Sequence, residues 1–144
     1  MGYGDVVKGV KDSILNAIKA TTSFSASNTF ADYYKSLEGI SYPVAFLRLR
    51  EDRHEMSGPS HTYHHLIWRI ELHNKGTGTE SDLESIIDYV GEIVDQIESN
   101  RTLGNSNIQT TEVTRISYSW RRIRSAVFYY AFIEIDTQVI RVSA

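Results

Sequence analysis

The chain contains no cysteine. That excludes a disulfide scaffold, a thiolate zinc site and a cysteine nucleophile. It has only two prolines and no repeat or low-complexity tract, so nothing divides its 144 residues into more than one domain. No apolar run approaches the roughly 20 residues that a membrane-spanning helix needs. The first residues, Met1-Gly2-Tyr3-Gly4-Asp5, lack the basic start and apolar stretch of a signal peptide. Val6 stands where a myristoylation signal has Ser or Thr. The expectation is a soluble product made in the cytoplasm, without a membrane partner. Basic charge is not in excess either: 15 Lys and Arg face 18 Asp and Glu, for a net charge of −3. A generic electrostatic binder of nucleic acid is therefore disfavoured. GxGxxG, GxxxxGK[ST], GxSxG and HExxH are all missing, and no nucleophile stands beside an evident base. Sequence gives no support for an enzyme or for a cofactor.

What is present is ordinary globular material, 41% hydrophobic and 23% charged. A domain of this size buries about 68–70% of its unfolded surface, enough for one core. Val6, Val7, Val10, Ile14 and Ile18 have helical spacing and predict a helix over 5–20, with Asp5 as its N-cap. Residues 21–29 read as a polar loop. Phe30, Tyr33, Tyr34 and Leu37 fit one or two helical turns, although aromatics also suit a short strand.

Tyr42-Pro43 opens a strand over 44–50, since Pro is harmless at the first strand position. Residues 51–60 read as a long polar hairpin loop. The strand returning over 61–73 places Leu66, Trp68, Ile70 and Leu72 on one face and Arg69, Glu71 and His73 on the other. A strand of that length reaches roughly 40 Å, so the hairpin end is expected to project from the body. A helix starting at Ser81, in a capping box with Glu84, carries the stripe Leu83, Ile86, Ile87, Val90, Ile93, Val94 and Ile97. Its other face is acidic, and no Lys or Arg occurs between Gly76 and Asn100. Two strands follow. In the first, Ile116, Tyr118 and Trp120 share a face; Arg121 to Ser125 form a basic connection; the second, over 127–142, is apolar on both faces as a central strand would be. The expected fold is α+β: a mostly antiparallel sheet of four to five strands with two main helices on one face, in the order α-(β)-β-β-α-β-β.

Three clusters invite chemistry. His61, His64 and His65 lie close in sequence, but successive strand residues point to opposite faces, so they read as exposed strand histidines rather than a metal site. Glu84, Asp88 and Glu92 are one helical turn apart and read as a solvated or protein-binding face rather than catalytic carboxylates. Arg121, Arg122 and Arg124 beside Tyr118 and Trp120 could take phosphate or single-stranded nucleic acid, or form the cationic half of a subunit interface. Arg48, Arg50 and Arg53 make a second basic spot near the long hairpin loop.

The segments Thr29-Phe30-Ala31-Asp32-Tyr33-Tyr34, Gly39-Ile40-Ser41-Tyr42-Pro43-Val44-Ala45-Phe46 and Phe128-Tyr129-Tyr130-Ala131-Phe132-Ile133-Glu134-Ile135 complete a pattern over nearly the whole chain. It resembles the tail terminator, or tail completion, proteins of long-tailed bacteriophages and their neck-protein relatives. The resemblance implies a short strand near Phe30 and a structural role without catalytic residues, cofactor or metal. It implies a hexameric ring that caps the tail tube, meets a head-proximal neck or stopper protein, and sits in the virion at the head-tail junction. Nucleic acid would be met there only as genome passing through the lumen. A head-to-tail ring joins two different patches. Charge and length place the candidate subunit or tube contacts at Arg48, Arg50, Arg53, His54, Asp88, Glu92, Asp95, Arg121, Arg122 and Arg124. The rivals are another neck component, a small nucleic-acid-binding α+β module using Tyr118 to Arg124, and an enzyme using the acidic helix.

Overall fold

The computed structural model describes residues 2–32, 40–56 and 61–142. Seven elements follow in the order α1 (Tyr3–Lys19), β1 (Thr29–Ala31), β2 (Val44–Met56), β3 (His61–Gly76), α2 (Glu80–Ser99), β4 (Ile108–Ile123) and β5 (Ala126–Val142). The sheet order is β1-β2-β3-β5-β4. All pairs are antiparallel except β1 with β2. Five strands and two helices make the α+β fold expected. The expected helical turns begin at Phe30, which instead lies in β1; Tyr33, Tyr34 and Leu37 lie outside the described residues.

Both helices cover one sheet face. Val10, Ile14 and Ile18 of α1 and Ile86, Val90, Ile93 and Ile97 of α2 join Ala45, Leu47, Leu66, Trp68, Ile70, Leu72, Ala131, Ile133, Ile135 and Val139 in one core. Strand alternation selects even positions in β3 and odd positions in β5, because their cross-strand partners stand on the same face. β5 lies between β3 and β4, the central place its two apolar faces predicted. Phe24, within the expected polar loop, is buried and stands edge-on to Tyr89. The same loop is held by Asn28. Its amide donates to the carbonyls of Ser23 and Pro43, and its oxygen accepts from the Ser25 N–H.

Both helix starts lie earlier than expected. Gly2 caps α1, and Asp5 sits three residues on, where its carboxylate accepts from the Gly2 N–H. Thr79, not Ser81, caps α2, and Asp82 takes the place assigned to Glu84. The Asp82 carboxylate accepts from the N–H groups of Thr77, Gly78 and Thr79 at 2.9, 3.1 and 3.1 Å. A Cβ at Gly76 would collide with that carboxylate, and Gly78 holds φ +95°. These two glycines let the chain fold back over its own capping group.

The backbone donors from Thr79 and Thr77 hold the Asp82 carboxyl below its ordinary value of 3.8. A lowered carboxyl pKa contributes stability above the unfolded-state value, and that contribution is lost as pH falls through the folded-state value. Asp82→Asn is therefore expected to lower the melting temperature at pH 7. The gap to wild type should start to narrow below about pH 4 and close only below the folded-state value. A gap that stays constant down to pH 2 would show that the charge is not what caps α2.

Two strand boundaries move. β2 continues to Met56, so most of the expected 51–60 loop is strand, and residues 57–60 lie outside the described residues. The arm is not a free two-stranded projection. β5 backs β3 from Gly76 as far as His61. β4 runs to Ile123 and pairs with Ala126, so the basic connection shrinks to Arg124 and Ser125, with Arg124 at φ +56°.

Candidate functional site, an apolar groove beside the edge strand

β4 is the sheet's long edge. Its residues Ile116, Tyr118, Trp120 and Arg122 stand opposite Ile133, Ala131, Tyr129 and Val127 of β5, on the helix-bearing face. The helices do not reach that far. Ile116 and Tyr118 are therefore exposed, and Trp120 is 66% exposed.

The facing wall is α2. Its stripe has seven apolar residues, but one line of four, Ile86, Val90, Ile93 and Ile97, is buried. Leu83, Ile87 and Val94 sit roughly 60–100° around the helix from that line. Leu83 and Ile87 were expected in the core; they are 43% and 47% exposed. Between the two walls runs a groove of about 470 Å³, lined by Leu83, Ile86, Tyr118, Trp120, Val127 and Tyr129 and rimmed by Glu80 and Arg122. Partial desolvation in this wall raises the Tyr118 hydroxyl above its ordinary 10.0, and the phenol is a neutral donor at physiological pH. Exposed aromatic and aliphatic surface with a charged rim is the composition of a candidate interaction surface.

The charged residues singled out from the sequence are distributed differently. Arg121 and Arg122 alternate. Arg122 lines the groove, while Arg121 pairs with Phe128 on the opposite face and Arg124 holds the hairpin turn. Arg48 belongs to an ion cluster on that opposite face, 3.6 Å from Asp32 and 3.8 Å from the buried Glu71. Arg69 and His73 stand 3.7 Å from the same carboxylate. Arg53 is paired with Glu51 of its own strand, and Arg50 falls at a register shift between Leu49 and Glu51. Glu92 accepts from the N–H and hydroxyl of Ser23 at 2.9 and 2.7 Å, which ties the loop before β1 to α2. Asp88 and Asp95 are exposed on α2. The two basic spots do not merge. β3 and β5 separate β2 from β4, about 14 Å at ordinary strand spacing.

The histidines also differ from expectation. His64 and His65 do face opposite sides, but His64 is buried, and the strand continuing through 51–56 brings His54 opposite it. His65 bridges Asp136 at 3.1 Å and Glu55 at 3.4 Å.

Sequence reasoning singled out Tyr118 and Trp120 only as neighbours of the arginines, and missed the α2 wall because apolar residues at helical spacing read as core. The available signal was surplus. Seven stripe residues on α2 exceed what one buried line needs. No family model matches the chain, and no curated protein matches its sequence.

Proposed function

We propose that this chain is a tail terminator subunit of a long-tailed bacteriophage, a structural protein whose hexameric ring caps the tail tube and presents a surface to the head's neck proteins. The observation that carries this is the groove beside β4. An apolar surface next to the outer edge of a 16-residue strand, which pairs with no other strand there among the described residues, supports contact with another protein chain through both side chains and backbone. Its charged rim supports a head-to-tail contact, in which one patch meets a different patch on the next subunit. The order of elements over the whole chain, described above as resembling that family, supports the assignment of the ring. A stopper or head completion protein would share the ring, and differs by which partner the ring binds.

Light scattering after size exclusion, followed by negative-stain imaging, tests this. The expected result is ring-shaped particles of about six 16.4 kDa chains, formed in solution or on added tail tubes. A chain that stays monomeric at millimolar concentration and forms no ring on tubes would overturn the reading. Reversing the hairpin's charge with Arg121→Glu and Arg122→Glu is expected to raise the concentration needed for assembly at least tenfold. Unchanged assembly would remove the hairpin from the interface. The nucleic-acid module predicts instead a gel shift with single-stranded DNA that survives about 150 mM salt.

A further inference from the structure

We propose that Asp52, His54 and His64 form a binding site for a divalent transition metal, with zinc the best match. The inference is independent of the ring reading. Each residue offers a ligand atom, and these atoms lie within 4.8 Å of one another. The Asp52 Oδ1 is 3.3 Å from His64 Nδ1 and 3.6 Å from His54 Nε2. A tetrahedral ion with ligands at about 2.0–2.1 Å has ligand-ligand edges of about 3.3–3.4 Å. Two edges of that tetrahedron are therefore already close to length without any backbone movement. Two imidazole nitrogens and one carboxylate oxygen suit zinc and its neighbours in the first transition row, not magnesium or calcium, which prefer oxygen alone.

The supporting groups have the arrangement that metal ligands need. The Tyr3 hydroxyl donates to Asp52 Oδ2 at 2.6 Å, which turns Oδ1 toward the histidines. The Tyr3 ring also stands 4.2 Å from the His64 ring and fixes its plane. His64 is buried while His54 is mostly exposed, so the fourth position opens to solvent on the His54 side. Among the described residues the other histidine clusters lack this convergence. His65 spreads its two nitrogens between two carboxylates, and Arg48 and Arg69 crowd the carboxylate beside His73. Because Tyr3 belongs to α1 and the ligands to the β2–β3 arm, a bound ion would brace the arm against the helix.

The test is titration of the metal-free chain with Zn²⁺ alone, followed by calorimetry and melting temperature, with Mg²⁺ as the control. Co²⁺ supplies a spectroscopic readout, since tetrahedral coordination gives an intense visible band. The wild-type chain should bind one Zn²⁺, melt at a higher temperature with it, and show the Co²⁺ band; Mg²⁺ should do none of these. His54→Ala changes an exposed residue, so it should fold and melt like the metal-free wild type and lose the band. Tyr3→Phe should keep the site and weaken zinc about 10- to 100-fold. Zinc binding unchanged in His54→Ala, or a wild-type chain without the Co²⁺ band, would overturn the proposal.

Discussion

A chain carrying Trp120→Glu is expected to fold normally and to fail to assemble. In the isolated subunit Trp120 is mostly in water, so its removal costs the fold little. In an assembled ring the same indole would be the largest apolar group on the β4 wall. An aromatic anchor at the centre of an interface is worth about 2 kcal/mol or more, roughly 30-fold in affinity per contact. A closed ring repeats the contact at every subunit boundary, so the loss is compounded. The chain has two tryptophans, and Trp68 is the buried one. Trp68→Phe therefore leaves Trp120 as the sole indole fluorophore. Its emission should shift to shorter wavelength as assembly removes it from water. Rings formed as readily by Trp120→Glu as by wild type would show that the groove is not the subunit contact.

The largest effect on stability is expected at Trp68 itself. This side chain is buried in the core, and its Nε1–H donates to Thr137 Oγ1 at 3.0 Å. The Thr137 hydroxyl in turn donates to the Leu66 carbonyl at 3.1 Å. One hydroxyl thus satisfies a buried donor and a buried acceptor while joining β5 to β3. Trp68→Ala should cost about 3–5 kcal/mol, the usual range for deleting a buried aromatic. At roughly 2–4 °C per kcal/mol for a chain of this size, the melting temperature should fall by about 6–20 °C. Thr137→Val keeps the shape but strands the indole N–H, for about 1–3 kcal/mol. Adding Trp68→Phe to Thr137→Val removes the stranded donor, so the double variant should cost less than the sum of the two single ones. Additive losses would show that the hydrogen bond is not what couples them.

The two results together separate the roles of the two indoles, which strand alternation alone does not distinguish. Trp68 and Trp120 both sit on apolar faces of alternating strands, and only the arginines that follow Trp120 set it apart in the sequence. What separates them is sheet order. β3 is second neighbour to both ends of the sheet, whereas β4 is an edge, and edge position depends on pairings between residues far apart in sequence. The elements that periodicity defines, α1, α2 and the last two strands, were legible for that reason. The capping residues were misplaced by two or three positions. Thr77, Thr79, Ser81 and Asp82 crowd the start of α2, and any of them can accept the orphan N–H groups. α1 is capped by Gly2, which has no side chain to mark it, with Asp5 accepting from the third helical position. β1 is only three residues long and is held by parallel pairing to β2, for which its own residues carry little signal. The 51–56 segment is polar, and Glu51, Asp52, Arg53 and His54 resemble a loop. It is strand because β3 and β5 continue beside it. The same extension sets His54 across from His64, a contact invisible while 51–60 is read as a turn.

β5, an interior strand of the sheet, is also the last of the strands to be made. β3 has β2 on one side from early in synthesis, but its other side waits for residues 126–142. Until then the row Leu66, Trp68, Ile70 and Leu72 can be covered by helices but not locked into a sheet interior. Forming β5 closes a separation of about fifty to eighty residues at every rung, and such long-range pairing folds slowly, in roughly milliseconds to seconds. The wall of the groove that β5 supplies, Val127 and Tyr129, comes into being in that same late step. A half-made chain thus lacks the completed groove.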